Sequence, residues 1–169
     1  MKIRTVHKTD YPHIYQFVKT AFSTAEVKDG TEQDFVLQLR AGDTFIPELE
    51  FIAEDETGII GHIMMTQQVI ETSDQPFIGV LVAPLSVEIN HRNQGVGQAL
   101  MKHAFQKAID LGYMAAFLVG NPAYYQRFGY RQTDEFGIVN HSEIPDQFVL
   151  ACELIPDALK NISGKLNIH

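Results

Sequence analysis

A polar loop between an apolar strand and a long helix carries the clearest chemistry in the chain: Val87-Glu88-Ile89-Asn90-His91-Arg92-Asn93-Gln94-Gly95-Val96-Gly97-Gln98-Ala99-Leu100. Gly95 and Gly97 stand where the helix begins. Successive backbone N–H groups there face outward at the positive end of the helix, and glycines let a ligand approach the main chain without a Cβ clash. Arg92 adds a positive charge at the mouth. Such a nest suits a phosphate or pyrophosphate, although the same glycines would also serve a simple tight turn. Two familiar phosphate loops do not fit. A Walker loop needs G-x-x-x-x-G-K-[ST], which the chain lacks. A dinucleotide fingerprint needs a third glycine where Leu100 stands, and an acidic residue about 20 positions on, where Phe117-Leu118 occurs.

Other reactive constellations are missing from the sequence. The seven histidines (His7, His13, His62, His91, His103, His141 and His169) form no H-x-x-x-H pair, and Cys152 has no cysteine partner, so no metal site is expected. Ser86 lies in no G-x-S-x-G elbow. Cys152, inside the apolar run Phe148–Leu154, reads as a small buried hydrophobe.

The elements that must position the loop follow from periodicity. Lys2–Val6 alternates as a short strand. Thr9 offers an N-cap, Pro12 suits a first helical turn, and Ile14, Phe17, Val18, Ala21 and Phe22 make one apolar stripe. A second helix opens at Thr31, with Asp34 completing an imperfect capping box and Phe35, Val36 and Leu39 behind it. Glu50–Glu54 and Ile59–Val69 read as a hairpin across Asp55–Gly58, weakened locally by Gly61. Phe77–Val87 is apolar on both faces, as in a covered sheet, and Pro84 requires a bulge or a splay from one neighbour. The helix Gly95–Leu111 buries Val96, Leu100, Ala104, Ala108 and Leu111, widened by Met101, Phe105 and Ile109, and stops at Gly112. Ala115–Val119 is a buried strand. Asn121 caps a helix with Pro122 at its first position that ends at Gly129. Tyr130–Arg131 and Phe148–Leu154 supply late strands.

This order predicts a mixed α/β (α+β) fold. The 169 residues suit one domain spanning residues 1–169, with no linker or repeat to divide it. A net charge of −8 argues against nucleic acid as a partner. No apolar run reaches the roughly 20 residues of a membrane span, and the first residues lack a signal-peptide core, so a cytoplasmic location without membrane association is expected. The lone Cys152 fits a reducing compartment.

Arg92-Asn93-Gln94-Gly95-Val96-Gly97 resembles the [Q/R]-x-x-G-x-[G/A] signature of the Gcn5-related N-acetyltransferases, the GNAT superfamily. Leu85-Ser86-Val87 resembles that family's fourth strand. Pro84 suits the bulge by which that strand splays from the fifth. Asn121-Pro122-Ala123-Tyr124-Tyr125-Gln126-Arg127-Phe128-Gly129-Tyr130 resembles its N-x-x-x-x-Y-x-x-x-G-[F/Y] segment, with one residue fewer between Asn121 and Tyr125. The segments Phe45–Leu49, Ala83–Val87 and Tyr124–Tyr130 are further similar to a bacterial, YhbS-like branch of predicted N-acetyltransferases. The resemblance implies a mostly antiparallel mixed sheet, splayed between strands four and five, with helices on both faces.

It also implies acetyl-coenzyme A as co-substrate, with no metal. Carried over, the main chain of Leu85 and Val87, flanking Ser86, would pair with the pantetheine arm. The N–H groups of Arg92, Asn93, Gln94, Gly95, Val96, Gly97 and Gln98 would hold the pyrophosphate, and Asn121 joins this cofactor-binding set. A main-chain N–H near Leu85 would polarise the thioester carbonyl. Tyr125 matches the family tyrosine near the cofactor sulfur, a general acid for the departing thiolate, with a packing aromatic as the alternative and Tyr124 as the fallback in register. Phe128 and Tyr130 are expected in the core and Arg127 at the surface. The general base is not legible. Residues 78–87 contain no carboxylate, Glu88 reads as a loop residue, and His62 reads as a residue accommodated in the fold. The implied activity is acetyl transfer to a primary amine, on a small molecule or a protein, by direct attack in a ternary complex. The alternative is an acyl-coenzyme A sensing module of the same fold with little or no turnover. A monomer or homodimer is expected, and the acceptor could be a polyamine, an amino acid, an antibiotic or a protein N-terminus.

Overall fold

The computed structural model describes residues 1–24 and 30–168. The chain divides into two compact units, Met1–Thr66 with Ala83–Lys107, and Gln67–Val82 with Ala108–His169.

The first unit opens with β1 (Lys2–Thr5), followed by α1 (Tyr11–Ser23) and α2 (Glu32–Ala41). Ile14, Val18 and Ala21 are the buried positions of α1, as its apolar stripe predicts. The cap of α1 is Asp10 rather than Thr9, which lies in a 3-10 turn at Lys8–Asp10. Asp10 is fixed there by a two-pronged ion pair with Arg4 (2.8 and 2.9 Å) and by the His7 N–H. The Arg4 guanidinium holds the Asp10 carboxyl down at about 2. Thr31 is the N-cap of α2 as expected, but Asp34 accepts from the Tyr15 hydroxyl (2.9 Å) instead of closing a capping box, and so ties α2 to α1.

Next come β2 (Phe45–Asp55) and β3 (Gly58–Thr72), paired antiparallel from Asp55↔Gly58 inward. The expected hairpin is present and longer than the apolar pattern suggested. Alternation sorts the side chains to two faces. Ile52 and Met64 join Ile14, Val18 and Val36 in the core beneath α1 and α2. On the other face Phe51 meets His103 of α3 (Val96–Asp110) edge-on at 4.7 Å. Gly61 faces α3 as well, and a Cβ there would lie 2.7 Å from Leu100 Cδ1 and 2.9 Å from Val96 Cγ1. That glycine admits the helix; it is a packing requirement more than a weak point in the strand. β4 (Phe77–Val87) ends this unit's sheet, its exit joined to β3 by the Glu88 N–H to the Ile60 carbonyl at 2.9 Å. Val96, Leu100, Met101, Ala104 and Ala108 are buried as expected, whereas Leu111 lies beyond the last turn of α3 and is exposed.

In the second unit β4 pairs parallel with β5 (Ala115–Val119) at Val80↔Ala116 and Leu81↔Phe117. Pro84 lies beyond this short ladder and takes no part in the β4–β5 pairing. After α4 (Pro122–Tyr125) come β6 (Arg131–Gln132), β7 (Ile138–Asn140), β8 (Val149–Glu153) and β9 (Gly164–Leu166). β8 lies antiparallel between β5 and β6, while β9 pairs β7 in parallel and the end of β3 antiparallel. Ala115, Phe117, Ile138, Val149, Ala151 and Leu166 share its core with Ile70. The fold is mixed α/β with a mostly antiparallel sheet.

Candidate active site

Leu85 through Gln98 all fall in the first unit, and Asn121 and Tyr125 in the second. Along the end of β4, Leu85 and Val87 are half-buried while Ser86 points inward, 4% exposed, its Oγ without a partner among the described residues. The strand leaves into a 3-10 turn at Ile89–His91 capped by the Glu88 carboxylate, which accepts from the Asn90 N–H at 3.0 Å.

Asn93, Gln94 and Gly95 are exposed, and Asn93 and Gly95 take left-handed φ values of 62° and 83°. Asparagine and glycine are the residues that adopt this conformation at least cost. The first bond of α3 runs from the Ala99 N–H to the Gly95 carbonyl at 2.9 Å. The N–H groups of Val96, Gly97 and Gln98 therefore have no intrahelical acceptor. This first turn is a positive helix end with unsatisfied donors, suited to an anion.

The Arg92 side chain has another task. Its Nε donates to the Val87 carbonyl (3.1 Å), and an Nη donates to the Ala21 carbonyl (2.9 Å) and to Thr24 Oγ1 (3.3 Å). The guanidinium thus caps the negative end of α1 and ties it to β4. Next to it, the His91 ring stands between two carboxylates, Nδ1 2.6 Å from Glu88 Oε2 and Nε2 3.1 Å from Asp55 Oδ2.

A second polar group lies beneath α2. Glu50, 1% exposed, accepts from Arg40 Nε at 3.0 and 3.1 Å and Nη at 2.6 Å, and from His62 Nε2 at 3.1 Å. Burial alone would push the Glu50 carboxyl up, but the bonds from His62 and Arg40 outweigh it and hold the group ionised. His62 is fully buried and its Nδ1 has no partner among the described residues. Arg40 also lies over the Tyr11 ring, its Cζ 3.9 Å from the ring centroid. His62 is accommodated in the fold as expected, but by a carboxylate and a guanidinium that no local pattern links to it.

In the second unit the Asn121 side chain caps α4 by accepting from the Ala123 N–H at 2.9 Å, and Gly129 closes the following 3-10 turn with φ 90°. Tyr125 packs edge-on against Tyr124 (4.9 Å) and Tyr130 (6.0 Å). Its hydroxyl has no hydrogen-bond partner among the described residues, and burial raises its pKa, so it holds its proton at neutral pH. Gly120 makes room for it, since a Cβ there would run into the Tyr125 ring. Tyr124 is 38% exposed and stacks with Arg127, whose Nε donates to the Tyr124 carbonyl; Arg127 lies at the surface as expected. Tyr130 is in the core. Burial pushes the Cys152 thiol up to about 11, and its Sγ donates to the Phe128 carbonyl. No group of His, Cys, Asp and Glu among the described residues has metal-binding geometry. No helix among them is long and apolar enough to cross a membrane.

A mixed sheet with a short parallel β4–β5 ladder thus leads, past the end of β4, into a glycine-bearing loop and a long helix. The family profile described as Acetyltransferase (GNAT) domain matches residues 2–133, and the chain belongs to this family of N-acetyltransferases. It is 28% identical to the Escherichia coli (strain K12) N-acetyltransferase YhbS over 171 aligned positions, covering 100% of this chain and 96% of YhbS. The crystal structure of E. coli YhbS in complex with CoA superposes with a TM-score of 0.87 at 25% identity, over 99% of this chain and 89% of that one. A GNAT family acetyltransferase from Brucella melitensis in complex with acetyl-CoA shares the fold, with a TM-score of 0.78 at 22% identity over 99% and 95% of the two chains.

Proposed function

We propose that this protein transfers an acetyl group from acetyl-coenzyme A to a primary amine by direct attack in a ternary complex, acting as one domain over residues 1–169 in the cytosol. The observation that carries the reading is the first turn of α3, whose N–H groups lack acceptors directly after a strand end in which Leu85 and Val87 are half-buried. The CoA bound to YhbS supports it by analogy. In this reading Leu85 and Val87 offer main-chain groups to the pantetheine arm. Asn93 through Gln98 hold the pyrophosphate with backbone N–H groups. The N–H of Arg92 already reaches the Ile89 carbonyl at 3.5 Å, so its part in the nest is the weakest. Asn121, whose Oδ1 caps α4, keeps its amide donors for the cofactor.

A main-chain N–H near Leu85 polarises the thioester carbonyl and stabilises the oxyanion that forms as the amine attacks. Tyr125 gives its hydroxyl proton to the departing thiolate. The net charge of −8 favours a cationic amine as second substrate, while the nest must hold an anionic cofactor against that field.

A second reading, an acyl-coenzyme A sensor, is favoured by one observation: residues 78–87 carry no carboxylate to act as base. Calorimetry with coenzyme A and thiol release across an amine panel separate the two. Binding with thiol release that depends on an amine is expected. Binding without release on a broad panel indicates the sensor, and no binding overturns both.

A further inference from the structure

His91 has a geometry that neutral histidine cannot satisfy. Both ring nitrogens lie within hydrogen-bond distance of carboxylate oxygens, Nδ1 of Glu88 Oε2 at 2.6 Å and Nε2 of Asp55 Oδ2 at 3.1 Å. An ionised carboxylate only accepts, and a neutral imidazole carries one N–H, so both contacts form together only in the imidazolium. Each carboxylate is itself fixed. Asp55 Oδ1 accepts from the N–H and hydroxyl of Thr57, which leaves Oδ2 for His91. Glu88 is held by its own N–H on Ile60 and caps Asn90.

We propose that His91 is a positioning residue for the cofactor: as an imidazolium clamped between Asp55 at the β2–β3 turn and Glu88 at the end of β4, it seats the Asn93–Gln98 loop in its anion-binding conformation. The proposal rests on the coenzyme A reading of that loop. Two neighbouring side chains anchor the base of the loop, Arg92 to α1 and His91 to the hairpin. Glu88 and Asp55 are the charged groups that face His91, and Arg92 turns its guanidinium to Val87, Ala21 and Thr24. The bond to Glu88 foremost, then that to Asp55, raises the His91 pKa against the opposing effect of burial. The clamp is therefore complete at low pH and loses one arm as pH rises through that raised value.

The test is calorimetric titration of the full chain with coenzyme A at about pH 6 and about pH 8.5, on either side of histidine ionisation. Wild type is expected to bind about threefold or more weakly at the higher pH, the factor for a loop seated a third of the time. His91→Arg, charged at both values, is expected to remove this pH dependence, and His91→Gln to bind weakly at both. The ionisation of the coenzyme's own phosphate monoester is common to all variants and drops out of the comparison. Asp55→Asn separates positioning from simple attraction. Loss of a clamp arm weakens binding, whereas a His91 acting only by its charge would bind the anion more tightly once Asp55 is neutral. A wild-type pH slope no different from the one shared by His91→Gln and His91→Arg, or tighter binding by Asp55→Asn, overturns the proposal alone. No binding by wild type at either pH overturns the coenzyme A reading and the proposal with it.

Discussion

Tyr124 and Tyr125 are adjacent in sequence and differ in setting. Tyr124 is occupied by Arg127 on its face, while Tyr125 lies against Gly120 with a hydroxyl that no described residue bonds. Tyr125→Phe is expected to lower turnover about 10²-fold, the lower end of general acid–base contributions, with coenzyme A affinity unchanged. Thiol release paired with calorimetry checks this, and wild-type turnover would remove the acid role. The buried Glu50 sets a second expectation. Arg40→Met leaves that buried carboxylate with His62 as its remaining partner and should cost about 3–5 kcal/mol in urea unfolding. Because the folded-state pKa of Glu50 is depressed, its stabilisation is present above the ordinary carboxylate value and lost as pH falls through the depressed one. Stability of the wild type should therefore decline on the acid side. A variant as stable as wild type at neutral pH would show that the pair contributes nothing net.

At the scale of elements, the start of α3 combines helix stability with ligand charge. Gln98 is exposed in the first turn, so Gln98→Glu places a carboxylate at the positive helix end and should stabilise the fold by about 0.3–1 kcal/mol. The same charge opposes the pyrophosphate, so coenzyme A affinity should fall while the melting temperature holds or rises. Equal affinity for the two proteins would remove the first turn from the site. Elements with a sustained period were legible in advance. The α1 stripe of Ile14, Val18 and Ala21 and the limits of β5 are as expected. β7 and β9 were not, because each spans only three residues and is stabilised by partners far along the chain, Ile138 by Gly164 and Leu166 by Ile70.

For the molecule as a whole, a ligand that binds only the folded state stabilises it by mass action. Coenzyme A at 100 times its dissociation constant should add about 2.7 kcal/mol, which for a chain of this size is a thermal shift of about 5–10 °C. The absence of any shift would indicate a structural or interaction domain. What the sequence determined alone is whatever neighbouring residues enforce. This covers the loop-to-helix junction at Gly95 and Gly97, the Asn121–Pro122 start of α4, the alternation that sorts strand faces, and the family pattern built from them. The tertiary structure alone decided where the charges go. Arg92 serves α1, Glu50 gathers Arg40 and His62, and Asp55 reaches His91 across 36 positions of chain. The physical reason is range: backbone conformation and periodicity act over a few residues, whereas an ion pair needs only proximity in space, which no local pattern specifies.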